Sequence, residues 1–121
     1  NITGVWEWDY ATQAGTDILT GFDNVYSFMW TNGDYGTEYY SGGVLVRYTV
    51  GTYTLTGQSS LSLTDIGYTS NPLGGWIEDP ASGTQSFSVT KINGNEFDVN
   101  DAANSLTINM AKSTRSLSEF K

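Results

Sequence analysis

The chain contains no cysteine, no histidine, only two prolines, and five basic residues among 121. Each shortage removes mechanisms. Without cysteine there is no disulfide framework, no thiolate zinc site, no iron–sulfur cluster and no thiol nucleophile. Without histidine the commonest general base and transition-metal ligand are missing, and so is every Ser-His-Asp arrangement. Against five bases stand 13 acids, for a net charge of −8. That balance argues against nucleic acid and anionic membranes as partners. Charged residues make up only 15% of the chain, below the usual ~25%. No apolar run approaches the ~20 residues of a membrane helix, and no phosphate loop of the Gly-x-x-x-x-Gly-Lys type occurs.

What is present suits strands and tight turns. There are 14 glycines, four Trp, eight Tyr and five Phe, with Thr and Ser filling the space left by charge. The length fits one domain with one core. The charge is uneven: residues 1–90 carry nine acids and a single base, Arg47, while residues 91–121 balance four of each. The plain reading of the acidity is solubility; steering toward a cationic partner is the other. Asn1 is a non-Met start, which fits either a trimmed chain or an exported one whose leader is gone.

Alternation of period two recurs along the chain. In residues 3–10, Trp6, Trp8 and Tyr10 share one face, and the carboxylates of Glu7 and Asp9 mark the other as solvent-facing. Residues 11–23 read as a loop, with Ile18, Leu19 and Phe22 forming a short lid or helical turn. Residues 24–31 follow, with Tyr26, Phe28 and Trp30 on one face. Asn32-Gly33 is a strong hairpin signal, because both residues tolerate positive φ. Residues 35–41 return, Gly42-Gly43 turns, and residues 44–56 form a long strand. Its apolar set changes parity, from Val44, Val46, Tyr48 and Val50 to Tyr53 and Leu55. A bulge or bend at Gly51 would repair the facing. Leu61 and Leu63 lie on the next strand, and residues 67–83 form a long irregular segment containing Trp76. Three more strands are expected at 84–92, 96–100 and 105–111, the first two joined by Asn93-Gly94. The tail 112–121 is polar and basic; Ser116 and Glu119 have capping-box spacing, but too few residues follow for a stable helix.

Eight strands joined mostly by short turns predict an all-β, eight-stranded antiparallel up-and-down barrel over residues 1–111, whose closure removes exposed edges. In such a meander the connections at 11–23, 42–43, 67–83 and 101–104 share one end. The two long loops therefore flank a mouth. The aromatics expected inside are Trp6, Trp8, Tyr26, Phe28, Trp30, Tyr48 and Tyr53. Two roles are open to them: filling a narrow barrel, or lining a cup. Trp76 either caps the barrel or makes an exposed contact.

The residues also carry a family resemblance. Gly4-Val5-Trp6 is similar to the Gly-x-Trp opening of the calycin superfamily, which includes lipocalins and avidins. The hairpin from Phe28 through Trp30, Asn32-Gly33-Asp34 and Tyr35 resembles that of small bacterial lipocalin-like domains, as does Val50 to Gly57 followed by Leu61-Ser62-Leu63-Thr64. Phe87 to Ile92 and Phe97-Asp98-Val99 resemble their last core strands. Many lipocalins stack an Arg on the opening Trp; here Arg115 in the tail is the conceivable substitute. The resemblance implies a secreted, often lipid-anchored envelope protein of the kind common in Bacteroidetes.

Chemistry-bearing candidates are sparse. Glu7 with Asp9, Glu78 with Asp79, and Glu96 with Asp98 are the carboxylate pairs, and each reads more simply as a solvated face than as a glycosidase pair. Asp98, Asn100, Asp101 and Asn104 offer oxygen ligands without the EF-hand pattern. The expectation is therefore a non-catalytic binding protein, without cofactor or metal, acting outside the cytoplasm. Its ligand would be small, apolar, amphipathic or sugar-like, held by Trp8, Phe22, Tyr26, Trp30, Tyr48, Tyr53 and Trp76. The alternative is a protein-interaction or inhibitor module that uses loops and an acidic outer face.

Overall fold

Tight turns fall where the sequence supplies residues that accept positive φ. Gly33 (φ 93°), the Gly42-Gly43 pair (60° and 76°) and Gly57 (61°) each reverse the chain between antiparallel strands. At the first of these, Asn32 Oδ1 accepts from the Asp34 amide at 3.0 Å. The structure, a computed structural model, describes residues 2–69 and 83–120, with 65–69 described for backbone only. Trp76 and most of the expected loop 67–83 lie outside the described residues.

The strands are β1 Gly4–Gln13, β2 Thr16–Asp17, β3 Asn24–Met29, β4 Asp34–Ser41, β5 Val44–Thr56, β6 Ser60–Thr69, β7 Thr84–Ile92, β8 Glu96–Asp101 and β9 Leu106–Lys112. Each long strand pairs antiparallel with the next, and β1 pairs with β9, which closes an eight-stranded barrel. β2 is a two-residue addition that folds back on the end of β1. The expected loop 11–23 is thus shorter: β1 runs to Gln13, and Ala14-Gly15, both at positive φ, make the turn. No helix of the described residues is long and apolar enough to cross a membrane.

Two irregularities decide which side chains enter the barrel. In β1 the pairing with β9 slips between Trp8 and Tyr10. The extra residue, Asp9, flips the parity, so Trp6, Trp8, Ala11 and Gln13 point inward while Tyr10 is 50% exposed. Tyr10 therefore does not share the inward face that simple alternation gives it. At Gly51 a register shift does occur, but the extra residue is on β6, between the partners Asp65 and Gly67. β5 keeps one parity through Gly51, with Arg47, Thr49, Tyr53 and Leu55 on the inner side. Gly51 has another role: a Cβ there would run into the Thr64 carbonyl, so the two strands can approach closely only at glycine.

The wall formed by β3, β4 and β5 is inverted relative to expectation. Ser27 and Met29 point into the barrel, not Tyr26, Phe28 and Trp30; on β5, Thr49 points in and Tyr48 out. The outward aromatics are satisfied by the tail. After β9 the chain crosses this outer wall and ends in a single 3-10 turn, Leu117–Glu119, closed by the capping box of Ser116 and Glu119. Phe120 lies 5.1 Å from Phe28, 5.3 Å from Trp30 and 6.2 Å from Tyr48, centroid to centroid. Its ring occupies a notch over Gly36, where a Cβ would collide with it. Phe28 is fully buried although it is on the outside of the barrel. Beside it, Arg115 donates to Glu38 at 3.2 Å and to Glu119 at 3.3 Å and stacks 4.6 Å from the Tyr26 ring. Glu38 is also fully buried, and accepts from the Tyr40 hydroxyl at 2.9 Å. A second small core thus sits between wall and tail.

The end of the barrel carrying the β3–β4 turn is shut. Trp6 donates from Nε1 to the Ile2 carbonyl at 2.9 Å and packs on Phe97 at 5.6 Å. Tyr53 donates its hydroxyl to the Trp30 carbonyl at 2.6 Å. The cation on Trp6 is Lys112, 4.9 Å from the ring, which also donates to the Thr3 carbonyl at 3.0 Å. Arg115, the candidate for that place, is committed to Glu38. The pairing of Trp6 with Lys112 across β1 and β9 explains the choice.

Candidate functional site

With one end plugged by Trp6, Ile2 and Tyr53, the barrel is hollow toward the other. The cavity has a volume of about 370 Å³, at the small end of the ~300–1,000 Å³ of ligand pockets. It holds about a dozen water-sized volumes at ~30 Å³ each. The connections after β1, β4 and β8 lie at this open end, as the meander requires.

The cavity has two unlike sides. On β6 to β9 the lining is apolar: Leu63, Phe87, Val99, Leu106 and Ile108. On β3, β4 and β5 it is hydroxylic. Ser27, Thr37 and Thr49 are neighbours across the three strands by register and are all at least nine-tenths buried. Trp8 donates from Nε1 to Ser27 Oγ at 2.8 Å, and Ser27 Oγ lies 3.4 Å from Thr37 Oγ1. Met29, Tyr35, Leu61 and Met110 form the floor.

The rim carries the remaining polarity. Tyr39 is at its centre, 5.9 Å from the Trp8 ring and 5.3 Å from Phe22, with the Arg47 guanidinium 5.0 Å over its face. Burial pushes the Tyr39 hydroxyl above the usual phenol range, against a smaller pull downward from Arg47. Opposite, Gln85 donates to Asp101 at 3.0 Å, and Asn104 donates to the same oxygen at 2.6 Å. These bonds hold the Asp101 carboxyl below the usual range. The first loop is pinned to the rim: Asp23 donates its amide to the Tyr40 carbonyl at 2.8 Å and accepts from the Gly43 amide at 3.0 Å. That seats Phe22 against Tyr39.

Of the residues expected to bind ligand, Trp8 and Phe22 reach the cavity. Tyr53 points inward but serves the closed end. Tyr26, Trp30 and Tyr48 stand on the outer wall, because the tail gives apolar residues there something to pack against; they do not line the cavity. Trp76 lies outside the described residues. Sequence reasoning missed Ser27, Thr37, Tyr39, Thr49, Arg47, Gln13 and Gln85, all on the cavity wall. Two signals pointed to them. Arg47 is the lone base of residues 1–90, and the tail carries an Arg and a Phe able to cover an aromatic face. The carboxylates Glu7, Asp9, Glu96 and Asp98 form an acidic patch on the outside. Burial foremost, and then the neighbouring Glu7, Asp98 and Glu96, raise the Asp9 carboxyl above its ordinary range.

No protein-family model matches the sequence, and no curated protein does. Solved structures do match the fold. A lipocalin-like protein from Bacteroides uniformis superposes with a TM-score of 0.67 at 17% identity, over 93% of this chain and 98% of that one. A protein from Bacteroides eggerthii superposes with a TM-score of 0.65 at 10% identity, over 93% of this chain and 100% of that one. Closed eight-stranded topology, a cation on the opening Trp and these superpositions agree: the chain has the lipocalin-like fold.

Proposed function

We propose that this protein is a non-catalytic binder that takes one small amphipathic molecule into the open end of its barrel. The observation that carries the reading is the division of a single cavity into an apolar side and a hydroxylic side. An apolar ligand would leave Ser27, Thr37 and Thr49 desolvated without return, and a fully polar one would waste the opposite side. A molecule with an apolar body and one polar end satisfies both. The lipocalin-like fold supports binding as the activity by analogy. As part of this proposal, and on the same analogy, the protein acts outside the cytoplasm, which cell fractionation of the native host would test.

Trp8 is the reporter, since its indole N–H is bonded within the cavity wall. Titration with a panel of alkyl and aryl amphiphiles should change the Trp fluorescence of the wild type. In Leu63→Trp, whose new indole would fill the cavity, and in Trp8→Phe, the response should vanish. A response that persists in the filled variant would mean binding elsewhere. The interaction-module reading uses loops or the acidic outer face; of its two loop residues, Phe22 turns onto Tyr39, which counts against it, and Trp76 lies outside the described residues. A sugar platform on the outer aromatics is also disfavoured, because Phe120 and Arg115 already cover them.

A further inference from the structure

The hydroxylic side of the cavity holds more protons than acceptors. Trp8, Ser27, Thr37 and Thr49 all line the cavity, and the last three form one row across β3, β4 and β5. An indole N–H can only donate, so Trp8 takes a lone pair of Ser27 Oγ at 2.8 Å. Among the described residues Ser27 Oγ has one other partner, Thr37 Oγ1 at 3.4 Å. The Ser27 proton therefore goes to Thr37, because the reverse order would leave it buried without an acceptor. The Thr37 proton then has no acceptor among the described residues, and the Thr49 hydroxyl has no partner of either kind there. Both side chains are buried, Thr37 at 5% and Thr49 at 9% exposure. They are directly opposed on antiparallel strands, which holds their Cβ atoms about 4.5–5.5 Å apart. One atom between them can accept from both.

Resting on the cavity reading above, we infer that the polar end of the ligand is a carbonyl-type oxygen, that of a ketone, ester or acid, seated between the hydroxyls of Thr37 and Thr49, with the apolar body against β6 to β9. Such an oxygen has two lone pairs and no proton. It completes the row: Trp8 donates to Ser27, Ser27 to Thr37, and Thr37 and Thr49 to the ligand. An alcohol brings a further proton, so whichever way its hydroxyl turns, one proton of the row stays unmet. An ammonium group accepts nothing and leaves both threonine protons unmet.

The test compares one carbon skeleton with three polar groups: 2-octanone, 2-octanol and protonated 2-aminooctane, by calorimetry at pH 7.5. Wild type should bind the ketone about fivefold more tightly than the alcohol, the worth of one buried hydrogen bond, and the amine least. Thr49→Val should weaken the ketone about fivefold, and Thr49→Ser should keep its affinity. Thr37→Val with Thr49→Val should bring ketone and alcohol to one level. The infrared carbonyl stretch of bound 13C-labelled 2-octanone reports the seat directly. It should lie lowest in wild type, higher in Thr49→Val and highest in the double variant, as each donor to the oxygen is removed. Equal binding of ketone and alcohol, abolished by Leu63→Trp, would overturn the carbonyl seat and leave the cavity reading standing. So would a ketone preference or a carbonyl stretch that the double variant does not change. If none of the three binds, both fail. Unfolding midpoints of the variants establish that each is folded before its affinity is compared.

Discussion

Two halves of one barrel solve the inside–outside problem in opposite ways. β6 to β9 put Leu61, Phe87, Phe97, Val99 and Ile108 inside, as any small barrel does. β3 to β5 put Ser27, Thr37 and Thr49 inside and Phe28, Trp30 and Tyr48 outside. The second arrangement is stable only because residues 113–120 lie across it and bury what would otherwise be exposed. Moving the aromatics outward also empties the interior. Had Tyr26, Phe28 and Trp30 faced inward, their volume would have filled a barrel only just wide enough for its own side chains. The tail is thus what lets this small barrel keep a cavity with a polar side.

The contrast breaks most sharply at Glu38. Removing its cation in Arg115→Met leaves a fully buried carboxylate without the guanidinium that balances it, and should cost about 3 kcal/mol. Urea unfolding reads this, and Glu38→Gln added to Arg115→Met should recover most of it. No loss in the single variant would make the tail an ornament. Phe87→Ala, a buried truncation in the ordinary half, should cost about 3 kcal/mol. Phe120→Ala should cost less, about 2 kcal/mol, because the ring is half-buried. Exchanging hydroxyl and methyl between the two sides sharpens the comparison further. Thr49→Val should be neutral or stabilising by up to about 1 kcal/mol, since it removes a hydroxyl that has no hydrogen-bond partner among the described residues. Val99→Thr should cost about 1–2 kcal/mol. A costly Thr49→Val would mean that the hydroxyl has a partner in the empty protein.

Two aspartates outside the Arg115–Glu38 pair give the smallest effects, and of opposite sign. Asp101 is held below its unfolded value by Gln85 and Asn104. Its stabilisation is present above the ordinary carboxylate range, near pH 4, and is lost as the pH falls through the lower folded value. Asp101→Asn should therefore flatten the acid limb of a stability–pH curve. Asp9 is raised by burial and by its acidic neighbours, so its charge is unfavourable at neutral pH and the penalty lifts on acidification. Asp9→Asn should raise stability by no more than about 0.5 kcal/mol, as screened surface charges do, and the gain should shrink below pH 4.

Most of the fold is legible in the chain, because turn chemistry and period two are local. Asn32-Gly33, Gly42-Gly43 and Asn93-Gly94 mark hairpins that the structure contains, and counting strands fixes which loops share an end. Facing is less legible. Alternation says that Tyr26, Phe28 and Trp30 share a face, but which face is buried depends on what covers it. Here the cover is Phe120 and Arg115, some 90 residues away in sequence. The bulge at Asp9 is equally silent, since nothing in Trp8-Asp9-Tyr10 announces the extra residue. The candidate site inherits these errors. Trp8 and Phe22 lie on segments read with the right facing, while Tyr26, Trp30 and Tyr48 belong to the inverted wall. Tyr39, Thr37 and Thr49 were passed over because polar residues on a strand read as solvent-facing. In this barrel they are the interior.

The most direct measurement is residue-resolved amide shift mapping of the wild type during titration with decanoate. One pair of strands then reports on both of its faces. The largest changes should fall at Thr37, Tyr39, Arg47 and Thr49, with Trp8 and Ser27 next, while residues 113–120 stay unmoved. Changes concentrated in the tail and at Tyr26 and Tyr48, with the cavity residues silent, would contradict the account.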